Sequence, residues 1–294
     1  MTNIAACSAA EAPTLPPPVL AVLGHPVAHS LSPVMHEAGF AATGRPGRYI
    51  ALDVPSARLP AAVAGMVALG FAGCNLTVSL KEIGCALATR RSAEAARTGS
   101  ANTLVFRAGE IYADTTDGRG LLRSLREETA WDPRGRRVLL LGAGGAARGI
   151  AAALLGAGAG AVLVTNRTPA RAERLAADLG GGIGTVAWGG APLDAALRMT
   201  DLVVNCTTLG MHGQGCPLRP EALDLLPRDA VVCDIVYVPE QTPLLAAARA
   251  QGRVGVGGLG MLAWQAALAW EVWFGEEGPA DVLLAAARRS LPRI

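Results

Sequence analysis

The sequence predicts two α/β units facing each other across a cleft. Three observations carry that expectation. An apolar strand, Val138 to Leu141, runs directly into a G-x-G-x-x-A turn and then a helical stretch. A separate alternation of strand and helix fills residues 19 to 117, ahead of that turn. The length, 294 residues, suits two ordinary domains, each with its own core. The second unit therefore reads as a Rossmann-type domain and the first as an α/β domain with a mostly parallel sheet.

The elements follow in order. Val19 to Gly24 reads as a strand and Pro33 to Gly44 as a helix, with Ser32 as its cap and Pro33 in the first helical position. A strand is predicted over Tyr49 to Val54. A helix follows from Ser56, a plausible cap, to Gly70, its terminator. Gly73 to Val78 reads as strand and Leu80 to Arg90 as helix. Ala101 to Phe106 and Ile111 to Thr115 flank Arg107-Ala108-Gly109-Glu110, a hairpin signal. Asp117 to Thr129 reads as a connecting helix. The second unit places strands at Val138–Leu141, Ala161–Thr165, Thr185–Trp188, Leu202–Asn205, Val231–Val236 and Val254–Val256, with helices between most of them. From Leu259 onward helices have no further strand to follow, so periodicity leaves open which unit they cover.

Composition narrows the function classes. The chain is 51% hydrophobic and 17% charged, enough for a large core. A net charge of +2 gives no basic field for nucleic acid. The pairs Arg90–Arg91 and Arg136–Arg137 read as solvated surface. Six cysteines without C-x-x-C spacing support neither a metal nor a redox site. Cys74, Cys206 and Cys233 lie in apolar runs, as small buried hydrophobes do. This usage fits the reducing cytoplasm. Residues 1–18 lack the features of a secretory signal and read as a loose tail. Leu259 to Phe274 is too short and too interrupted, by Gln265 and Glu271, to suggest a membrane span. The expected partner is a small molecule, with neither nucleic acid nor membrane, and the expected state is a monomer or homodimer.

The glycine turn indicates a cofactor. Gly142 permits the tight turn, and Ala143 and Gly144 bring bare backbone towards a pyrophosphate. Gly145 and Ala146 open the helix whose N-terminus favours negative charge. NAD-binding folds usually carry an acid about 20 residues further on, for the ribose hydroxyls. Here that strand end reads Asn166-Arg167-Thr168, and Arg171 follows one turn later. A carboxylate would repel a 2′-phosphate, whereas an Arg can pair with it. The expected cofactor is NADP rather than NAD. Thr168 also reads as an N-cap ahead of Pro169, which is compatible with the same role for Arg167.

The other chemistry-bearing residues lie at strand ends, where open α/β sheets build their sites. Ser30 and Ser32 bracket one residue before a helix. Capping explains Ser32 and leaves Ser30 spare, and two hydroxyls at a helix N-terminus suit a carboxylate. Lys81 follows Asn75-Leu76-Thr77-Val78-Ser79-Leu80. Asn102 and Thr103 start one hairpin strand, and Thr115-Thr116-Asp117-Gly118 follow the other. A lone Lys is usually a solvated charge. A Lys and an Asp brought together in a cleft, here Lys81 and Asp117, could instead shuttle the proton that accompanies hydride transfer.

These residues resemble the shikimate dehydrogenase family from about residue 19 to 290. Its G-x-P-x-x-H-S-x-S-P matches Gly24 to Pro33. Asn75, Thr77 and Lys81 match N-V-T-x-P-x-K. Asn102 and Thr103 match A-x-N-T, and Thr116 to Gly118 match N-T-D-G. G-A-G-G-A matches Gly142 to Ala146, and N-R-T matches Asn166 to Thr168. Asn205, Thr207, Gly210 and Met211 match N-A-T-S-x-G-M. Asp234 to Leu245 and Gly258 to Ala266 match two further motifs.

The resemblance implies specific roles. Ser30 and Ser32 would hold a substrate carboxylate, with Tyr237 nearby. Asn75, Thr77, Asn102, Asp117 and Gln265 would bind ring hydroxyls. Lys81 and Asp117 would be the catalytic pair. Thr207, Met211 and Gly258 would border the nicotinamide. The last helices would return to the first unit. The substrate-binding and catalytic domain would span 19–117 plus 259–294, and the NADP-binding domain 118–258. The implied reaction is the NADP-dependent interconversion of shikimate and 3-dehydroshikimate. Ser79 stands where the family has Pro, Thr115 where it has Asn, Glu37 where Asn is common and Trp264 where His is common. These departures keep quinate, or another polyhydroxy cyclohexane carboxylate, as an alternative substrate. A non-catalytic NADP-binding regulator would be expected to lack Lys81 or Asp117, and both are present.

Overall fold

Each half of the chain builds one six-stranded sheet in the computed structural model, which describes residues 17–292. Most of the tail expected over residues 1–18 lies outside the described residues. The first sheet comprises β1 (Val19–Gly24), β2 (Arg48–Asp53), β3 (Gly73–Leu76), β4 (Arg90–Arg91), β5 (Thr103–Arg107) and β6 (Glu110–Asp114), ordered β2-β1-β3-β5-β6-β4. β1 pairs parallel with β2 and β3, and β4 with β6. The β5–β6 hairpin enters antiparallel. The helices of this half are α1 (Ser32–Thr43), α2 (Leu59–Ala68), α3 (Lys81–Leu87) and α4 (Ala93–Thr98), and α5 (Asp117–Thr129) connects it to the second half.

The second sheet is wholly parallel. It comprises β7 (Arg137–Leu141), β8 (Ala161–Thr165), β9 (Ile183–Thr185), β10 (Leu202–Asn205), β11 (Val231–Asp234) and β12 (Val254–Val256), ordered β12-β11-β10-β7-β8-β9. Strand order reverses between β7 and β10, where open α/β sheets bind their ligands. Covering both faces requires apolar side chains on both. Val138 and Leu140 pack into one core and Leu139 and Leu141 into the other. Its helices are α6 (Gly145–Gly156), α7 (Pro169–Leu179), α8 (Gly190–Leu197) and α9 (Pro243–Ala250).

The closing helices, α10 (Gly258–Phe274) and α11 (Ala280–Arg289), cross back to the first half. Trp270 and Trp273 of α10 share a cluster with Leu20, Val22, Phe40 and Tyr49, while Leu283 of α11 packs with Met35. This burial explains why α10 is apolar on nearly every face. Among the described residues no helix is long and apolar enough to cross a membrane.

Several local expectations require correction. The helix expected from Ser56 begins as a 3₁₀ turn, Ser56–Arg58, before α2. Ser56 makes no cap bond, and its hydroxyl sits 3.0 Å from that of Ser79. The strand from Gly73 stops at Leu76 because the chain turns through 3₁₀ residues Val78–Leu80 to present Lys81. The next helix ends at Leu87, and Arg90 and Arg91 form an edge strand. α4 was not foreseen, although Ser92 caps it by accepting from the Ala95 N–H at 3.0 Å. The strand expected at Thr185–Trp188 lies at Ile183–Thr185. Leu31, not Ser32, is the N-cap of α1, and Pro33 falls one position later than expected. The Ser30 hydroxyl instead accepts from the Ser32 N–H at 3.3 Å. Cys74 and Cys233 are fully buried as expected, whereas Cys206 is half-buried.

Candidate active site

Lys81 is the first residue of α3 and Asp117 the first of α5, so two separate strand ends deliver them to one place. Lys81 Nζ donates to Asp117 Oδ2 at 2.5 Å. Both residues are buried, 9% and 4% exposed respectively. A buried ion pair is tolerated only when its remaining valences are met. Asp117 lies in the first turn of α5, where unpaired N–H groups favour a carboxylate. Its other oxygen accepts from Asn102 Nδ2 at 3.1 Å.

Asn102 organises the neighbourhood. Its amide also donates towards Gln265 Oε1 at 3.1 Å, and its carbonyl accepts from the Thr116 N–H at 2.9 Å. The Thr116 hydroxyl donates to the Gln265 backbone carbonyl at 2.9 Å. Gln265 of α10 thus reaches into the first half, as the resemblance implies. Asn75 is more constrained. Its two amide protons go to the Asn102 backbone carbonyl, 3.0 Å, and to Thr103 Oγ1, 3.1 Å. Its carbonyl accepts from the Tyr49 hydroxyl at 2.6 Å. One carbonyl lone pair is left, so towards a ligand Asn75 can only accept.

Tyr49 was not anticipated, because a single aromatic at the start of a strand carries no motif. It stacks on His36 with ring centroids 4.1 Å apart, and His36 Nδ1 accepts from the Trp270 indole N–H at 2.7 Å. Burial pushes the His36 pKa down to about 3, so the ring is neutral. Burial and Cys74 raise the Tyr49 pKa, while hydrogen bonding to Ser32 lowers it. Ser32 is buried and Ser30 half-buried at the start of α1. Tyr237 packs against the cluster of Leu31, Met35 and Leu259. The Thr77 methyl occupies the space that a Cβ at Gly24 would need, 2.5 Å away.

The cofactor turn lies against this cluster. Gly142 has φ +110°, and a Cβ there would meet Thr207 Cγ2 at 2.9 Å. Gly144 faces open space, leaving its backbone approachable. A Cβ on Gly145 would sit 3.3 Å from Lys81 Cβ and Cδ, so the turn and the lysine stem nearly touch. Ala143 and Ala146 complete the turn without bulk. Asn166 Nδ2 donates to the Thr168 carbonyl at 2.9 Å. Thr168 occupies the N-cap position of α7, but its side chain makes no cap bond. Arg167 and Arg171 are exposed, and no acid occurs from residue 165 to residue 171.

The loop after β10 is tied down from within. Asn205 Oδ1 accepts from the Thr207 hydroxyl at 2.7 Å, and Asn205 Nδ2 donates to Asp234 Oδ1 at 2.8 Å. Burial raises the Asp234 pKa, against hydrogen bonds from Thr242, Val236 and Asn205. Met211 is half-buried in the following 3₁₀ turn. A Cβ on Gly258 would lie 2.3 Å from the Ile235 carbonyl oxygen, so that position requires glycine. An approachable glycine turn at a helix N-terminus, with two exposed arginines beyond it, fits a dinucleotide bearing a 2′-phosphate.

Comparison with known proteins agrees with this arrangement. The chain matches the shikimate dehydrogenase substrate binding domain over residues 22–104. It matches the shikimate / quinate 5-dehydrogenase family over 124–211 and the shikimate 5′-dehydrogenase C-terminal domain over 258–288. It is 42% identical over 269 residues to the shikimate dehydrogenase (NADP(+)) of Methanopyrus kandleri, covering 90% of this chain and 93% of that one. It superposes with a TM-score of 0.84 on the shikimate 5-dehydrogenase of Thermus thermophilus solved with NADP(H) and shikimate. That chain is 40% identical, and the match covers 93% of this chain and 100% of that one. The quinate dehydrogenase of Corynebacterium glutamicum, solved with NAD, also gives a TM-score of 0.84, at 28% identity over 94% of this chain and 100% of that one.

Proposed function

The chain belongs to the shikimate dehydrogenase family, and from that premise we propose how its own residues interconvert shikimate and 3-dehydroshikimate with NADP. The observation that carries the reading is the buried Lys81–Asp117 pair, 2.5 Å apart, set against the glycine turn at Gly145. Gly142 to Ala146 offer backbone N–H groups to the pyrophosphate. Asn166, Arg167, Thr168 and Arg171 take the 2′-phosphate, and Thr207, Met211 and Gly258 border the nicotinamide. When bound, NADPH supplies the hydride for reduction of the ring ketone, and NADP accepts it in the reverse direction.

The Lys81 ammonium gives a proton to the ring oxygen as that oxygen gains negative charge. Asp117 holds the ammonium in place and stabilises it, while Asn102 fixes Asp117 from its other side. In the oxidative direction Lys81 receives the proton back. Ser30 and Ser32, at the start of α1, hold the substrate carboxylate, with Tyr237 alongside. Asn75, Thr77, Asn102 and Gln265 bind the ring hydroxyls, with Asn75 as an acceptor. Residues 19–117 and 259–294 form the substrate domain and 118–258 the NADP domain. The enzyme works in the cytoplasm as a monomer or homodimer.

Steady-state kcat/KM for shikimate and for quinate, each with NADP and with NAD, tests this reading. Shikimate with NADP is expected to be the best pair. A higher kcat/KM for quinate would overturn the substrate assignment.

A further inference from the structure

Arg148 is 7% exposed although it carries a charge, and it takes no part in the chemistry of Lys81 and Asp117. It lies on α6, three residues beyond Gly145 and one turn from the cofactor turn. Its guanidinium reaches across to the other domain. Nη1 donates to the Thr98 carbonyl at 3.3 Å, at the end of α4. Nε lies 3.8 Å from the carboxylate of Glu82, the residue after Lys81. Nη2 donates at 2.7 Å to Asp178 of α7, within its own domain. The guanidinium therefore hydrogen-bonds the end of α4 and Asp178, and it pairs through space with Glu82 of α3, the helix that Lys81 opens, while Nε itself makes no hydrogen bond.

The seam beside Arg148 is close-fitting. The Ser100 hydroxyl donates to the Gly145 carbonyl at 3.5 Å. A Cβ on Gly145 would sit 3.2 Å from that hydroxyl and 3.3 Å from the Lys81 stem. The first turn of α6 is thus bare where Lys81 passes, and the next turn supplies the clamp. Side chains packed this closely shift together rather than independently.

We propose that Arg148 is a positioning residue that locks the cofactor helix onto the segment bearing Lys81, so that filling the glycine turn and ordering Lys81 become one event. The proposal rests on the placement of NADP at residues 142–146 and of Lys81 as proton donor. It differs from a purely structural role because the two carboxylate partners of Arg148 lie towards solvent, and only the Thr98 carbonyl is buried. The side chains of Glu82 and Asp178 are 58% and 44% exposed, so both regain water when the guanidinium is removed. Arg148→Met should therefore fold. Arg148→Lys keeps the charge but replaces the planar fork with a compact ammonium, which cannot span the separated Thr98 and Asp178 acceptors.

Hydrogen exchange with and without NADP alone, alongside steady-state kinetics, tests the proposal. In the unmodified enzyme NADP should slow exchange in residues 145–152 and also in 81–87 and 93–98. In Arg148→Met the first protection should persist while the slowing at 81–87 falls by at least half. Its kcat should drop tenfold or more with the KM for NADP changed less than threefold, and Arg148→Lys should recover only part of the loss. Identical protection at 81–87 in Arg148→Met and the unmodified enzyme would overturn the proposal. So would a kcat loss that merely follows Tm and NADP affinity, or full recovery by Lys. Failure of the unmodified enzyme to turn over shikimate would instead overturn the functional reading, and the exchange comparison would still judge Arg148.

Discussion

Replacing Lys81 with Met keeps the apolar stem of the side chain and deletes the ammonium. The change removes a 2.5 Å charge-assisted hydrogen bond and leaves the Asp117 carboxylate, 4% exposed, with Asn102 Nδ2 at 3.1 Å as its remaining side-chain partner. Breaking a buried pair by removing one partner costs about 3–5 kcal/mol. The Asn102 bond and the start of α5 place this case near the lower end, about 3 kcal/mol. For domains of this size that corresponds to a Tm loss of roughly 6–12 °C. Loss of a general acid should lower kcat by about 10²–10⁴-fold, or about 3–5 kcal/mol of barrier, with little change in substrate KM. The variant Lys81→Met/Asp117→Leu removes the orphaned charge as well. It should recover stability to within about 1 kcal/mol of the unmodified enzyme while activity stays lost. Urea melts and steady-state rates on the two variants measure both effects. A kcat within threefold of the unmodified enzyme would remove Lys81 from the chemistry. A double variant no more stable than Lys81→Met would refute the buried-charge argument.

Arg167→Ala should raise the KM for NADP by about 10–100-fold, the worth of a hydrogen bond to a charged group, and leave that for NAD nearly unchanged. An equal effect on both cofactors would exclude the 2′-phosphate role. Gly144→Ala and Gly258→Ala should separate binding from folding. The former meets open space and should weaken NADP binding at constant Tm, whereas the latter drives a Cβ to 2.3 Å from the Ile235 carbonyl and should lower Tm. The His36 pKa falls from 6.5 unfolded to about 3 folded, so the unfolded chain binds that proton first. The resulting stability is complete above pH 6.5 and drains as pH falls towards 3, by roughly 4–5 kcal/mol. An NMR titration in which the His36 ring protonates near pH 6 would contradict its burial.

The legible parts of the chain were those whose signal is local and repeated. The strands of the second sheet are covered on both faces, so they appear as unbroken apolar runs, and Val138–Leu141 emerged almost to the residue. The glycine turn was legible because each small residue answers a local backbone demand. α4 was missed because its six residues are too few for periodicity, although Ser92 ahead of Ala-Glu-Ala-Ala is a recognisable cap. The 3₁₀ turn at Val78–Leu80 was missed because a buried strand leads into it without a Gly or Pro. The residues that the structure brings together, Asn75, Lys81, Asn102 and Asp117, were legible through their place at strand ends. Tyr49 and Arg148 were not, since each acts through partners distant in sequence.

The sequence by itself determined the two α/β units, the cofactor turn and the absence of an acid beside Arg167, because each depends on residues within a few positions of one another. The tertiary structure decided that Lys81 meets Asp117, that Asn102 bonds both Asp117 and Gln265, the latter 163 positions away, and that α10 returns to the first domain. It also decided that Asn75 can only accept and that Gly145 lies against the Lys81 stem. The reason is physical. Whether a buried polar group is satisfied, and by which partner, depends on what folding brings within about 3 Å of it, and no spacing along the chain encodes that distance.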